Sequence, residues 1–95
     1  MNSYKFKQTL QDIQTYLEDR EETVLLADGF EHAFLGTTQR MNEPTLSVYS
    51  YPLMIETLIL RDGMTYEEAA EYIDYNVAGA WIGEQTPIII HPIGI

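Results

Sequence analysis

The sequence predicts a small α+β domain, an antiparallel or mixed sheet of about four short strands covered by helices, in the order α-β-β-β-α-α-β. Three observations carry that prediction. Phe6, Leu10, Ile13 and Leu17 recur at helical spacing near the start. Short β-prone or alternating runs, broken by turn residues, fill the stretch up to Ser50. Two helix-start signals then follow within fifteen residues of each other, at Ser50 and Thr65. The chain reads as one domain over 1–95, with a helix in 1–20, a β-rich segment in 23–50, two helices in 51–82 and a last strand at 88–91.

The first helix is expected over Ser3–Asp19, where the apolar stripe excludes Gln8, Gln11, Asp12, Gln14 and Thr15. The run Asp19–Glu22 ends it in a solvated connection. Thr23–Ala27 is β-prone and stops at Asp28-Gly29, a strong turn dipeptide. His32–Thr38 predicts a second strand, with Ala33 and Leu35 on one face and Phe34 on the other. Gln39–Pro44 is a loop. Thr45–Ser50 alternates, Leu46 and Val48 pointing one way and Thr45, Ser47 and Tyr49 the other, as a half-buried strand with one solvated face does.

Ser50 with Pro52 starts the second helix, because serine caps free amides and proline lacks an N–H that the first turn leaves unpaired anyway. Its buried face is Leu53, Ile55, Leu58 and Ile59, and Gly63 ends it. Thr65 with Glu68 three residues later forms a capping box for the third helix. Ala69, Ile73, Val77, Ala80 and Trp81 extend its stripe towards Ile82, with an end near Asn76 as the alternative because Gly79 weakens a helix. Ile73 and Trp81 are expected to be buried. Gly83–Pro87 is a turn, and Ile88–Ile90, apolar on both faces, is read as a central or well-covered strand.

The 95 residues carry a formal charge of −10, with 45% apolar residues and no cysteine. That apolar content suits a folded domain rather than an acidic disordered chain. The length predicts burial of roughly 60–65% of the unfolded surface, which argues against a large cleft enzyme. Residues 1–20 balance Lys5, Lys7 and Arg20 against Asp12, Glu18 and Asp19, so the whole −10 falls on 21–95, where only Arg40 and Arg61 are basic. Direct binding to nucleic acid or to an anionic membrane is therefore not expected, since phosphates are held by clustered Lys and Arg. No apolar run approaches the roughly 20 residues of a spanning helix. The N-terminus has no secretory pattern and cysteine is absent, so the expected location is the cytoplasm.

The segments Asp28–Gly36 (DGFEHAFLG), Arg61–Tyr72 (RDGMTYEEAAEY) and Asn76–Ile88 (NVAGAWIGEQTPI) resemble a group of short acidic proteins of bacteriophages and prophages. The resemblance spans roughly Ala27–Ile88 and leaves the first helix outside. It implies a phage origin, a host-cell setting and one compact domain. It carries no catalytic residues.

No catalytic set is read from the chain. It has no cysteine nucleophile, and neither histidine has a local serine partner. Gly79 and Gly83 lack the lysine of a phosphate loop and lie after a helix, so they are read as close-packing glycines. Glu67, Glu68, Glu71 and Asp74 form the densest acidic face, beside Tyr66, Tyr72 and Tyr75. Carboxylates along a rigid helix present charge as phosphates do, and tyrosines add flat contact area. The expected function is a non-enzymatic, cofactor-free inhibitor of a host nucleic-acid-handling or defence protein with a basic surface, anti-CRISPR-like and acting by nucleic-acid mimicry. Two alternatives stay open. One is a small metal-dependent enzyme using Asp28, Glu31 and His32, with His91 or Glu84 as further ligands. The other is a homodimeric structural module joined through Trp81 and Ile88–Ile90.

Overall fold

The first helix begins where a side chain can cap it. Thr9 Oγ1 accepts the Asp12 N–H at 3.1 Å, and the Asp12 carboxylate accepts the Thr9 N–H at 3.0 Å. This capping box starts α1 at Leu10–Asp19, later than the apolar stripe predicts. The computed structural model describes residues 8–78 and 83–94, so Ser3–Lys7, with Phe6, and the stretch holding Trp81 lie outside the described residues. Within α1 only Ile13 is buried, Leu17 is half-buried and Leu10 is exposed.

The predicted strand at Thr23–Ala27 does not form, and the sheet has three strands rather than about four. The segment runs as an irregular strap whose backbone is tied by side chains from elsewhere. Ser47 Oγ donates to the Leu25 carbonyl at 2.6 Å, and the Ala27 N–H donates to the Tyr49 hydroxyl at 2.8 Å. Gln85 Nε2 donates to the carbonyls of Thr23 and Thr45 at 3.0 and 3.1 Å. The Thr23 and Leu25 carbonyls and the Ala27 N–H are thus paired without a ladder. The predicted solvated connection is likewise more than solvated. Glu22 accepts from Arg20 at 3.0 Å and from Thr37 Oγ1 at 2.8 Å, which ties the end of α1 to the sheet.

A short 3₁₀ turn at Glu31–Ala33 leads into β1, Phe34–Thr38. The turn removes Ala33 from the strand alternation, so Ala33 and Phe34 are both buried while Leu35 faces outward at a β-bulge. β2, Leu46–Ser50, is the central strand, antiparallel to β1 and parallel to β3, Ile88–Ile90. β2 alternates as predicted, yet its fully buried side is that of Ser47 and Tyr49, with Leu46 and Val48 only half-buried. The strap covers that polar-looking side and satisfies its hydroxyls, while the Tyr49 ring meets Phe34 edge-on at 5.7 Å. β3 lies at a sheet edge rather than in a central position, its first two residues half-buried and Ile90 exposed.

The parallel pairing of β2 with β3 requires a long crossover, supplied by two helices. α2 spans Tyr51–Asp62, with Ser50 Oγ accepting the Leu53 N–H at 3.3 Å and Gly63 closing it at φ 70°. Leu53, Met54, Ile55, Thr57 and Leu58 are its buried residues, whereas Ile59 turns outward. α3 spans Tyr66–Ile73 and continues as a π-helical turn over Asp74–Ala78. Ala69 and Ile73 from α3 complete a core that also holds Ile13, Phe30, Phe34, Tyr49 and the inner face of α2.

Candidate functional site

The acidic face is built locally. Thr65 Oγ1 accepts the Glu68 N–H at 3.1 Å, and Glu68 Oε1 accepts the Thr65 N–H at 2.9 Å. Glu67 and Glu68 in the first turn also complement the positive end of the helix dipole. Because Ala69 and Ile73 point into the core, the opposite side of α3 must face solvent. Glu67, Glu68, Glu71 and Asp74 are all exposed there, as are Tyr66, Tyr72 and Tyr75, the last at 81%. Glu67 and Glu71 sit one turn apart, and among the described residues neither forms an ion pair with a basic group. Glu68 is engaged in the cap. Asp74 lies beside Tyr51, whose ring stacks on His91 at 4.4 Å. Partial burial, and then the carboxylate of Asp74, push the Tyr51 phenol above its ordinary range.

At Asp74 the helix changes to π geometry, a local widening found often at functional sites. Beside this turn the surface is concave. A hollow of about 290 Å³ is lined by Leu26, Asp28 and Phe30 from the strap and its turn, Tyr72, Asn76 and Val77 from α3 and the π turn, and Thr86 and Ile89 around the start of β3. Residues 26–30, far earlier in the chain, therefore meet residues 72–77 and 86–89 around one hollow. Tyr72 belongs both to the hollow and to the acidic face. Gln85 holds the wall formed by the Gly83–Pro87 turn against the strap. A Cβ at Gly83 would meet nothing within 4 Å, so its φ of +134°, rather than the expected close packing, is what calls for glycine; Gly79 lies outside the described residues.

Of the residues of the metal alternative, Glu31 and His32 are committed to different partners. Glu31 Oε2 accepts the Gly29 N–H at 2.9 Å, while Asp28 faces the hollow. His32 is buried, with Nε2 2.7 Å from Glu56 Oε1 on α2. His91 is stacked on Tyr51, and Glu84 is exposed. Among the described residues no group of three His, Cys, Asp or Glu side chains is arranged to hold a metal ion.

Arg61 supplies a contact that the sequence does not announce. Its Nη1 donates to the Gly29 carbonyl at 2.6 Å, its Nε and Nη2 donate to Asp62, and its guanidinium lies 5.8 Å from the centre of the Phe30 ring. Arg61 holds the Asp62 carboxyl below its ordinary range by hydrogen bonding. The Asp28-Gly29 turn is as predicted, and the backbone of Gly29 calls for glycine. Its φ is +88°, and a Cβ would sit 2.9 Å from Arg61 Nη1.

No helix among the described residues is long and apolar enough to cross a membrane. Comparison with protein-family models, with curated proteins and with solved structures finds no match. The hollow and the His32–Glu56 contact are not legible in the sequence because His32 and Glu56 are 24 positions apart and residues 26–30 lie more than 40 positions before the rest of the hollow. Periodicity and local motifs carry no signal over that distance.

Proposed function

We propose that this chain is a small non-enzymatic binding protein that places its acidic α3 face on the basic groove of a host nucleic-acid-handling or defence protein, in the manner of an anti-CRISPR inhibitor. The observation that carries the proposal is the state of Glu67 and Glu71. They are exposed one turn apart on a capped helix, beside Tyr66 and Tyr75, without a basic partner among the described residues. Glu67, Glu68, Glu71 and Asp74 together span about 10 Å of helix axis. Their mean axial spacing of about 3.5 Å is close to the roughly 3.4 Å per phosphate along one strand of a duplex. A net charge of −10 adds long-range attraction to any basic partner. The resemblance to short acidic phage proteins supports a cytoplasmic setting inside a bacterial host.

Self-association through β3 is the weaker reading. The same net charge opposes it, and Pro87 and Pro92 bracket the strand, which limits pairing along that edge.

The test is capture of a host protein by the wild-type chain and by the Glu67→Lys/Glu71→Lys variant, at low and high salt, followed by competition with the captured protein's nucleic acid. Mimicry predicts capture that weakens with salt, is lost on charge reversal and excludes nucleic acid. A ternary complex with undiminished affinity for both ligands would rule mimicry out. These two side chains take no part in the cap or the core, so the variant should unfold within about 0.5 kcal/mol of the wild type.

A further inference from the structure

The hollow beside α3 has a composition that narrows what can enter it. Leu26, Phe30, Val77 and Ile89 make its wall apolar, and Asp28 is the one charged group among the described lining residues. Asn76 adds an amide whose oxygen accepts. Among the described residues Asp28 forms no ion pair. Arg61 is close by, at the Phe30 ring, but its donors go to Asp62 and the Gly29 carbonyl.

Size decides between classes of guest. At about 290 Å³ the hollow is at the foot of the range of roughly 300–1,000 Å³ that holds cofactors and drug-sized ligands. It is nearly twice the ~150 Å³ cavity that accepts a benzene ring. One long side chain fits that volume. An anionic guest is opposed by Asp28 and by the whole chain's charge. Asp28 and Asn76 are exposed at the edge of the hollow, where a cationic guest gains their oxygens as acceptors and a purely apolar guest gains nothing from them.

We infer that the hollow receives a single arginine side chain of the basic partner, its stem against Phe30, Val77 and Ile89 and its guanidinium at Asp28 and Asn76. This deepens the binding-protein reading above and rests on it. Arginine fits better than lysine because its planar fork serves two acceptors at once and is more weakly hydrated, so less is lost on entering an apolar wall. Long basic side chains cover apolar surface with their methylenes while the charged head stays at the rim. Arginine anchors in pockets beside a charged rim are also where interface energy concentrates. Tyr72, shared by hollow and acidic face, makes the two regions one continuous surface. On this inference the acidic face steers and the hollow anchors.

The experiment follows amide NMR shifts of the full chain during titration with N-acetyl-arginine methylamide. The blocked citrulline analogue, neutral and nearly isosteric, is titrated in parallel. Saturable shifts at Asp28, Phe30, Val77 and Ile89, with citrulline about tenfold weaker, are expected from a charge-assisted bond at Asp28. Asp28→Asn should lower arginine to the affinity of citrulline. The comparison of the two ligands on the unmodified chain stands even if that variant folds poorly. Absence of saturable shifts at those amides, or equal affinity for arginine and citrulline, overturns the inference. Shifts confined to Glu67, Glu71 and Asp74 also overturn it, and they leave the acidic-face reading in place. That reading is judged separately, by capture and charge reversal.

Discussion

The strap at 23–30 and the helix α3 sit on two sides of the same hollow and are held by opposite means. The bonds that start α3 all lie within four residues, the reciprocal pair of Thr65 and Glu68 among them. The strap owes its course to Ser47, Tyr49, Arg61 and Gln85, all from 22 to 62 residues away. The charged face of this protein is thus specified locally, whereas the concave face exists only once the sheet and both later helices are in place. A helix with its own cap tolerates damage elsewhere. A strap tied by distant side chains does not.

The strongest test of that contrast is Tyr49→Phe. It strips the acceptor from the Ala27 N–H and should cost about 2 kcal/mol in urea unfolding, with faster amide exchange along the strap. A loss below about 0.5 kcal/mol would show that the tie is dispensable. Tyr49 also predicts an alkaline effect. Burial pushes its phenol up, which the hydrogen bond from Ala27 only partly offsets. The folded chain therefore holds this proton more tightly than the unfolded one, and stability falls as pH rises past the unfolded value of about 10. The Phe variant should show a shallower alkaline decline.

Gly29→Ala comes next. It meets both a left-handed φ and the Arg61 guanidinium, so a loss of about 1–2 kcal/mol is expected in the same assay. Arg61→Ala in that background should recover nothing if the backbone conformation dominates, which separates strain from contact.

On the helix side, Thr65→Ala should cost about 1 kcal/mol. Its effect should stay within α3, leaving the exchange of Ala27 unchanged. Coupled loss of protection in both regions would erase the distinction between local and distant control.

The smallest expected effect belongs to the Glu22 clasp. Hydrogen bonds from Arg20 first, and Thr37 second, hold its carboxyl below the ordinary value of 4.5. A depressed folded pKa contributes stability that is present above the unfolded value and fades as pH falls through the folded one. Urea midpoints measured from neutral pH down through the carboxylate range should therefore fall less steeply for Glu22→Gln than for the wild type. Equal slopes would show that Arg20 and Thr37 do not favour the charged form.

Much of the architecture was legible in the amino acids themselves. The α+β class, the capping box at Thr65, the serine cap and proline of α2, the Asp28-Gly29 turn and the glycine stop at Gly63 all depend on groups within about four residues of one another, so short patterns report them. The exposure of Glu67 and Glu71 follows from the same local periodicity once Ala69 and Ile73 are placed inward. Tertiary structure alone decided the rest. It made Thr23–Ala27 a strap, because the Tyr49 hydroxyl and Ser47 reach its backbone before any neighbouring strand does. It chose the Ser47–Tyr49 side of β2 as the buried one, because alternation names two faces without saying which is covered. It put β3 at an edge, paired His32 with Glu56, and closed the hollow around Asp28 from segments that no pattern within a helix turn can connect.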